Sequence, residues 1–393
     1  MRISLITFLI LIAIQQSIYC QNTAPAHVNV VNIENHTGFD VVHITFPTPA
    51  ENTDPVNALV YAEYFKPNTA SKMPAVIILH HWKATDLQIE RQIAALLAEH
   101  GIASAVMVMP YHMERTPPGK ISGEAMISDD IPKTIAAMKQ TILEVSALKS
   151  WLQSLSEIDS NRIGLIGISL GALVAARAYG EIGGFDAVVL ILGGGNAADI
   201  LWSSPLSIEI KRKLLAKGYT KTRLEQELAS IEPTACLTPS HGHNVLMINA
   251  KYDEAIPNRD TLALWNALGK PPIVWVESGH YVPFGRKAVA NTAKNFLLYR
   301  FGESSTFNPP ALIASRSIEL GLISDRASLL SPSAFIEVMR LSRSGALGIN
   351  VTGSGVSVGA DLKLSRGLKL GLHRRLTSKN RKVLPFLMLG FTL

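Results

Sequence analysis

The apolar positions along this chain change rhythm twice, and each change marks a different kind of structure. At 28–33, 41–46 and 58–65, β-branched or alternating residues stand between Asn, Gly and Pro, which predicts antiparallel strands. From residue 75 short continuous apolar runs take over, at 75–79, 103–109, 163–168, 187–192, 245–249 and 273–276, with helical stretches among them. The first stretch has Thr85 and Gln88 spaced as a capping box, Ile89, Ile93, Leu96 and Leu97 on one face, and Gly101 as its stop. Further helical patterns lie at 131–155, from 171, at 260–268 and at 288–299. Buried strands alternating with helices predict an α/β class chain with a doubly wound, mostly parallel sheet covered on both faces. Such sheets place their sites at the carboxyl ends of strands.

The second change follows Pro309 and Pro310, where apolar residues begin to recur at every second position: Leu347, Ile349 and Val351; Val356, Val358, Ala360, Leu362 and Leu364; Leu368, Leu370 and Leu372; Leu387, Leu389, Phe391 and Leu393. This predicts roughly six short strands in a small C-terminal antiparallel β-domain, 304–393, after the α/β domain at 21–303. Six is fewer than the roughly eight strands of the smallest single-chain membrane barrels, and the tail has no Trp or Tyr for an aromatic girdle. The expectation is therefore a soluble β-domain or a sheet packed on the α/β domain, with a closed barrel requiring several chains.

Charge sharpens this division. The net charge of +6 over 393 residues is uneven: the tail has 12 Lys and Arg against 4 Asp and Glu, or +8, and the rest of the chain carries −2. The surplus points to envelope or membrane-surface contact through the tail. No nucleic-acid partner is expected, because the tail lacks aromatic stacking platforms.

At the other end, Arg2, the apolar run 3–14 and then Gln15 and Gln16 read as a signal peptide, 1–20, too short in its apolar part to span a bilayer. The expected location is secreted or periplasmic, in association with the envelope. Cys20 is either removed by cleavage nearby or acylated; Tyr19 stands where acylation wants a small residue and favours cleavage. Two cysteines exclude a disulfide scaffold and a four-thiolate zinc site, and loss of Cys20 leaves Cys236 without an intramolecular partner.

The chemistry falls at strand ends. Gly167-Ile168-Ser169-Leu170-Gly171 lies where an apolar strand meets an Ala- and Leu-rich helix. The glycines permit a sharp turn that exposes the Ser169 hydroxyl, and the Leu170 N–H behind it is a donor for an oxyanion. A serine needs a base, and the base an orienting carboxylate. The strand 245–249 runs into Asp253, with Glu254 beside it as the competitor, and 273–276 runs into Ser278-Gly279-His280. Of the histidines, His280 is favoured over His81, His112, His241 and His243 because a turn after the last strand suits a base. The chain order Ser169, Asp253, His280 is that of a triad drawn from successive strand ends.

These segments, with Asn249 to Pro257 as acid loop, resemble the α/β-hydrolase superfamily over roughly 57–301, and within it the dienelactone-hydrolase-like and prolyl-oligopeptidase-like serine esterases. The resemblance implies an α/β-hydrolase fold and a second oxyanion donor from the loop His80-His81-Trp82, where relatives carry His-Gly. The Trp82 N–H is favoured there, with the His81 N–H as the alternative. Dienelactone hydrolases use a cysteine nucleophile, so Ser169 carries no implication of lactone specificity. The loop after 103–109 places Tyr111 and His112 with His81 on a candidate substrate rim, with an ordinary surface loop as the equal alternative. An insertion at about 196–240 reads as a helical lid, whose basic run Lys211, Arg212, Lys213, Lys217, Lys221 and Arg223 reads as a solvated face. No cofactor is expected. No metal is expected either, since adjacent histidines diverge at a strand end and no carboxylate cluster accompanies them.

The functional expectation is a secreted hydrolase cleaving a small-molecule or polymer-linked ester through an acyl-enzyme on Ser169. The alternatives are an amidase or acyltransferase using the same triad, or an envelope-attached binding or assembly protein whose tail has the main role.

Overall fold

The computed structural model describes residues 25–392 apart from 26, 52, 282–285, 315–317, 326–327, 341–344, 353–354, 366–367 and 376–382. The segment 1–20, expected to be a signal peptide, and Cys20 within it lie outside the described residues. Two compact units are present. The first runs to Ile248 and adds Ala255–Ile273 and Thr292–Asn308; the second comprises Asn249–Glu254, Val274–Asn291 and Pro309–Leu393.

In the first unit, β1 (Asn29–His36), β2 (Phe39–Pro47) and β3 (Leu59–Pro67) pair antiparallel, and β3 continues antiparallel onto β5 (Ala103–Met107). From there β5, β4 (Met73–Leu79), β6 (Ile158–Ile168), β7 (Ala187–Ile191) and β8 (Val245–Ala250) run parallel in that order. Every residue of β4, β5 and β7 is buried, which is why these segments read as unbroken apolar runs. Strand order reverses at β4, with β5 on one side and β6 on the other, so the crevice above the ends of β4 and β6 is a topological switch point.

The helices are α1 (Gln88–Ala98), α2 (Ile131–Ser154), α3 (Leu170–Ile182), α4 (Ala197–Ser203), α5 (Ile208–Ala216), α6 (Lys221–Leu228), α7 (Asn258–Ala267) and α8 (Arg286–Arg300). The Thr85–Gln88 capping box does not form. Leu87 occupies the cap position of α1 without a side-chain bond, and the Gln88 N–H donates to Asp86 Oδ1 at 3.0 Å, so the helix starts later than the spacing suggested. Helices α4 to α6 fill the insertion between β7 and β8, burying Leu201, Leu214, Leu224 and Leu228. Five of its six cations pair with acids: Arg212 with Glu209, Lys213 and Lys217 with Asp129, Lys221 with Asp199, and Arg223 with Glu227, while Lys211 lies over the Trp202 ring.

In the second unit, β9 (Ile273–Val276) pairs in parallel with β10 (Leu312–Ile313), a strand too short for its periodicity to show in sequence. Six tail strands follow: β11 (Ile318–Asp325), β12 (Ser328–Arg340), β13 (Gly345–Thr352), β14 (Gly355–Ser365), β15 (Leu368–Arg375) and β16 (Val383–Thr392). Each pairs antiparallel with the next, and β16 pairs back onto β11, closing a barrel. The expectation that closure needs several chains is thus corrected: one chain closes the ring. A six-strand ring is narrow, and glycine at buried positions makes room for it; a Cβ at Gly348 would stand 2.3 Å from the Phe335 ring.

Candidate active site

Ser169 sits between β6 and α3 with φ 54 and ψ −113, a conformation that side-chain-bearing residues rarely adopt. Its backbone is tied on both sides: its N–H donates to the Ile191 carbonyl at 2.8 Å, and its own carbonyl accepts from the Ala172 N–H at 2.8 Å. The two glycines are required by close approach of main chain. A Cβ at Gly167 would stand 2.2 Å from the Gly171 carbonyl oxygen, and one at Gly171 would stand 2.4 Å from the Leu79 carbonyl oxygen. Leu170 opens α3, so its N–H is one of the donors that an α-helix leaves without an intrahelical acceptor.

Beyond β4, the loop 80–83 is fixed by two buried histidines. The Met109 N–H donates to His80 Nε2 at 3.0 Å, and the Lys83 N–H donates to His112 Nε2 at 3.2 Å. On the other ring nitrogens, Nδ1–H of His80 donates to the His81 carbonyl at 2.8 Å, and Nδ1–H of His112 donates to the Pro110 carbonyl at 2.9 Å. The rings meet edge to face at 4.6 Å. Each is therefore held neutral. Burial pushes His80 well below its ordinary pKa, with His112 adding to the effect, and burial pushes His112 down to about 4. These contacts join the loop after β4 to the loop after β5. Trp82 is anchored through its indole N–H to the Gly123 carbonyl at 2.8 Å.

Of the three rim residues, His112 and Tyr111 are buried, and His81 is partly exposed with Nδ1 3.4 Å from the buried Glu90 carboxylate. Both nitrogens of His112 are taken by main chain, which assigns it to holding loops together. Arg115, at the end of the same segment, is fully buried and forks onto Glu144 of α2 at 2.6 and 2.8 Å. The sequence reading passed over this pair. Its one signal was the run of polar residues Gln140, Thr141 and Glu144 on the buried side of a helix.

In the second unit, Asp253 and His280 are brought together and both are buried. His280 Nδ1 lies 3.0 and 2.9 Å from the two Asp253 carboxylate oxygens. A carboxylate cannot donate, so Nδ1 carries the hydrogen and Nε2 is the basic nitrogen. Glu254 is placed differently. Its Oε2 accepts the His280 backbone N–H at 3.3 Å and packs on Gly279, where a Cβ would stand 2.6 Å away. The Tyr252 N–H donates to the Ser278 carbonyl at 3.0 Å and ties the acid turn to the base turn. Ser169, Leu170, His81, Trp82, Tyr111 and His112 belong to the first unit. Among the described residues no group of three or more His, Cys, Asp or Glu is arranged to hold a metal ion.

Comparison with known proteins adds a lineage to this geometry. Residues 60–270 match the model of the dienelactone hydrolase family. The chain is 25% identical over 221 residues to the uncharacterized protein Rv2627c of Mycobacterium tuberculosis, covering 56% of this chain and 51% of that one. It thus spans about half the length of the first curated relatives it matches. It is also 29% identical over 98 residues to the uncharacterized protein YdjC of Bacillus subtilis, covering 25% of this chain and 84% of that one. Among solved structures it is similar to acetyl xylan esterase 1 from Thermoanaerobacterium sp. JW/SL YS485, with TM-score 0.54, 16% identity, and coverage of 72% of this chain and 98% of that one. The acetyl xylan esterase from Paenibacillus sp. R4 gives TM-score 0.55 and 17% identity, covering 73% and 93%. At these identities the likeness is one of fold.

Proposed function

The chain belongs to the dienelactone hydrolase family and is an esterase-like hydrolase, and from that premise we propose that it is a secreted enzyme that cleaves carboxylic esters through an acyl-enzyme on Ser169. The observation that carries this reading is the strained backbone of Ser169 between two glycines that main-chain contacts make obligatory. In the proposed cycle His280 Nε2 takes the Ser169 proton as Oγ attacks the acyl carbon, then returns it to the departing alkoxide. Asp253 holds the ring in the Nδ1–H tautomer and balances the imidazolium charge. The N–H groups of Leu170 and Trp82 stabilise the oxyanion, at about 2.7–4 kcal/mol for a donor removed. Water then repeats the sequence on the acyl-enzyme.

The substrate class is a small-molecule or polymer-linked ester, and the signal-peptide pattern at 1–20 is what supports a location outside the cytosol. The test is Ser169→Ala. Turnover of short-chain chromogenic esters and labelling by a fluorophosphonate are expected to vanish together, and undiminished labelling of the variant would remove Ser169 from its role.

A further inference from the structure

The closed barrel is inverted relative to a water-soluble one. On its outward positions the described side chains are Ala334, Ile336, Ile349, Val351, Val356, Val358, Ala360, Leu362, Leu370 and Leu372, all apolar. Leu372 is 58% exposed, Leu362 47% and Leu370 46%, whereas Asn350, between Ile349 and Val351 on β13, is 0% and Asp361, between Ala360 and Leu362 on β14, is 3% exposed. Among the described residues the other inward positions hold Phe335, Gly348, Ser357, Gly359 and Gly371. A barrel folded for water buries its aliphatic side chains and shows its polar ones.

The apolar positions do not stop at one side. Ile318 of β11 stands opposite Ile336, Leu387 of β16 opposite Leu370, and Pro385 opposite Leu372. On the closing ladder Leu320 is in register with Phe391 and Leu322 with Leu389. A second copy of the chain covers one side of such a ring; a surrounding apolar medium covers all of it. We propose that the outer wall of this barrel, a ring of fewer strands than the roughly eight of the smallest single-chain membrane barrels and filled by glycine at its buried positions, is seated in the hydrocarbon of a lipid bilayer, which makes it the membrane attachment of the hydrolase. Strands β12, β14 and β16, with 13, 11 and 10 residues, have the length of bilayer-crossing strands. Among the described residues no helix is long and apolar enough to cross a membrane, so the strands carry the proposal.

The full chain is tested by flotation with phosphatidylcholine vesicles and with vesicles of phosphatidylethanolamine and phosphatidylglycerol, at low and high salt, while hydrolysis of a soluble ester is assayed in every fraction. Flotation with both lipids that survives high salt is expected. Flotation only with the anionic vesicles and lost in high salt means a charge contact with the surface, and overturns the proposal. So does a chain that stays soluble, whether as a monomer or as a discrete dimer. Leu362→Lys combined with Leu370→Lys, a facing pair, is expected to weaken partition roughly 30-fold without changing ester turnover. Because that variant tests folding as well, Leu370→Trp provides an independent reading, as the tail has no native Trp. Brominated lipid is expected to quench most of the added fluorescence, and unquenched emission overturns the proposal. Loss of ester turnover with flotation intact would bear on the esterase reading alone.

Discussion

His280 Nδ1 stands 3.0 and 2.9 Å from the two oxygens of Asp253, while the neighbouring carboxylate of Glu254 holds the backbone N–H of the same histidine. Two adjacent acids thus perform different tasks on one residue: Asp253 sets the tautomer and charge of the ring, and Glu254 sets the path of the turn. The distinction follows from which atoms each reaches, and kinetics can separate the two.

Asp253→Asn removes the charge opposite the imidazolium and allows the wrong tautomer, so kcat is expected to fall by about 10³–10⁴-fold with little change in KM. Glu254→Gln keeps an acceptor for the His280 N–H and should stay within about tenfold of the parent. Steady-state hydrolysis of a short-chain ester decides it. Equal losses in the two variants would mean that the pair does not divide its work in this way.

The parts of this arrangement legible in sequence are those whose signal is local. Gly167 and Gly171 mark the elbow because they flank one serine at a fixed short spacing; the clash that Gly167 avoids is with Gly171 itself, whereas the one that Gly171 avoids, with Leu79 and His80, shows only in the fold. Asp253 and His280 could be named because strand ends are readable from apolar runs. Asp253 was preferred over Glu254 from its place after the strand; what Glu254 does instead needed coordinates, since it depends on side-chain reach. Arg115 and Glu144 were missed because they meet across 29 residues, and each alone looks like a surface charge. In the tail, alternation revealed six strands but not which face turns inward, for a period of two reads the same from either side. Closure was misjudged because a strand count takes no account of the glycines that let a small ring fill its own interior.

Stability should be lost as pH falls through the range set by His112. Burial holds its folded pKa at about 4 against an ordinary 6.5. Between those values the unfolded chain binds a proton that the folded one refuses, so the stability is fully present above 6.5 and is lost progressively as pH drops to about 4, a total of about 3 kcal/mol. His80 shifts in the same direction, and Arg115 and His81 are the nearby charges that add to burial for His112. Urea denaturation at neutral pH and near pH 4.5 is the measurement. His112→Gln should be less stable at neutral pH but show a shallower decline, and parallel curves for the two proteins would rule His112 out as the titrating group.

Gly171→Ala adds one methyl where the Leu79 and His80 carbonyl oxygens already stand 2.4 and 2.6 Å from its position. Main chain cannot swing aside as a flexible side chain does, so the helix must back away from β4. A destabilisation of about 1–3 kcal/mol is expected. A displaced helix also carries the Leu170 N–H and Ser169 with it, so fluorophosphonate labelling should slow by more than the loss of folded protein explains. Labelling that merely tracks the folded fraction would show that the elbow tolerates the shift.

The strongest stability effect should come from a pair that no chemistry uses. Arg115 donates to both Glu144 oxygens at 2.6 and 2.8 Å and to the Val108 and Asn57 carbonyls at 2.9 Å each, and both side chains are fully buried. The Gln140 amide and Thr48 hydroxyl complete the shell around Glu144 at 2.8 Å each. Arg115→Met removes four hydrogen bonds and leaves a buried carboxylate without its counter-charge, at a cost of about 3–5 kcal/mol. Adding Glu144→Gln should recover part of that loss, because the uncompensated charge rather than the missing contact carries most of the penalty. The loop from β5 toward α2 is tied down by these bonds, so ester turnover at low temperature should change far less than the denaturation midpoint. A double variant no more stable than Arg115→Met would show that the hydrogen bonds, and not the buried charge, hold this part of the fold.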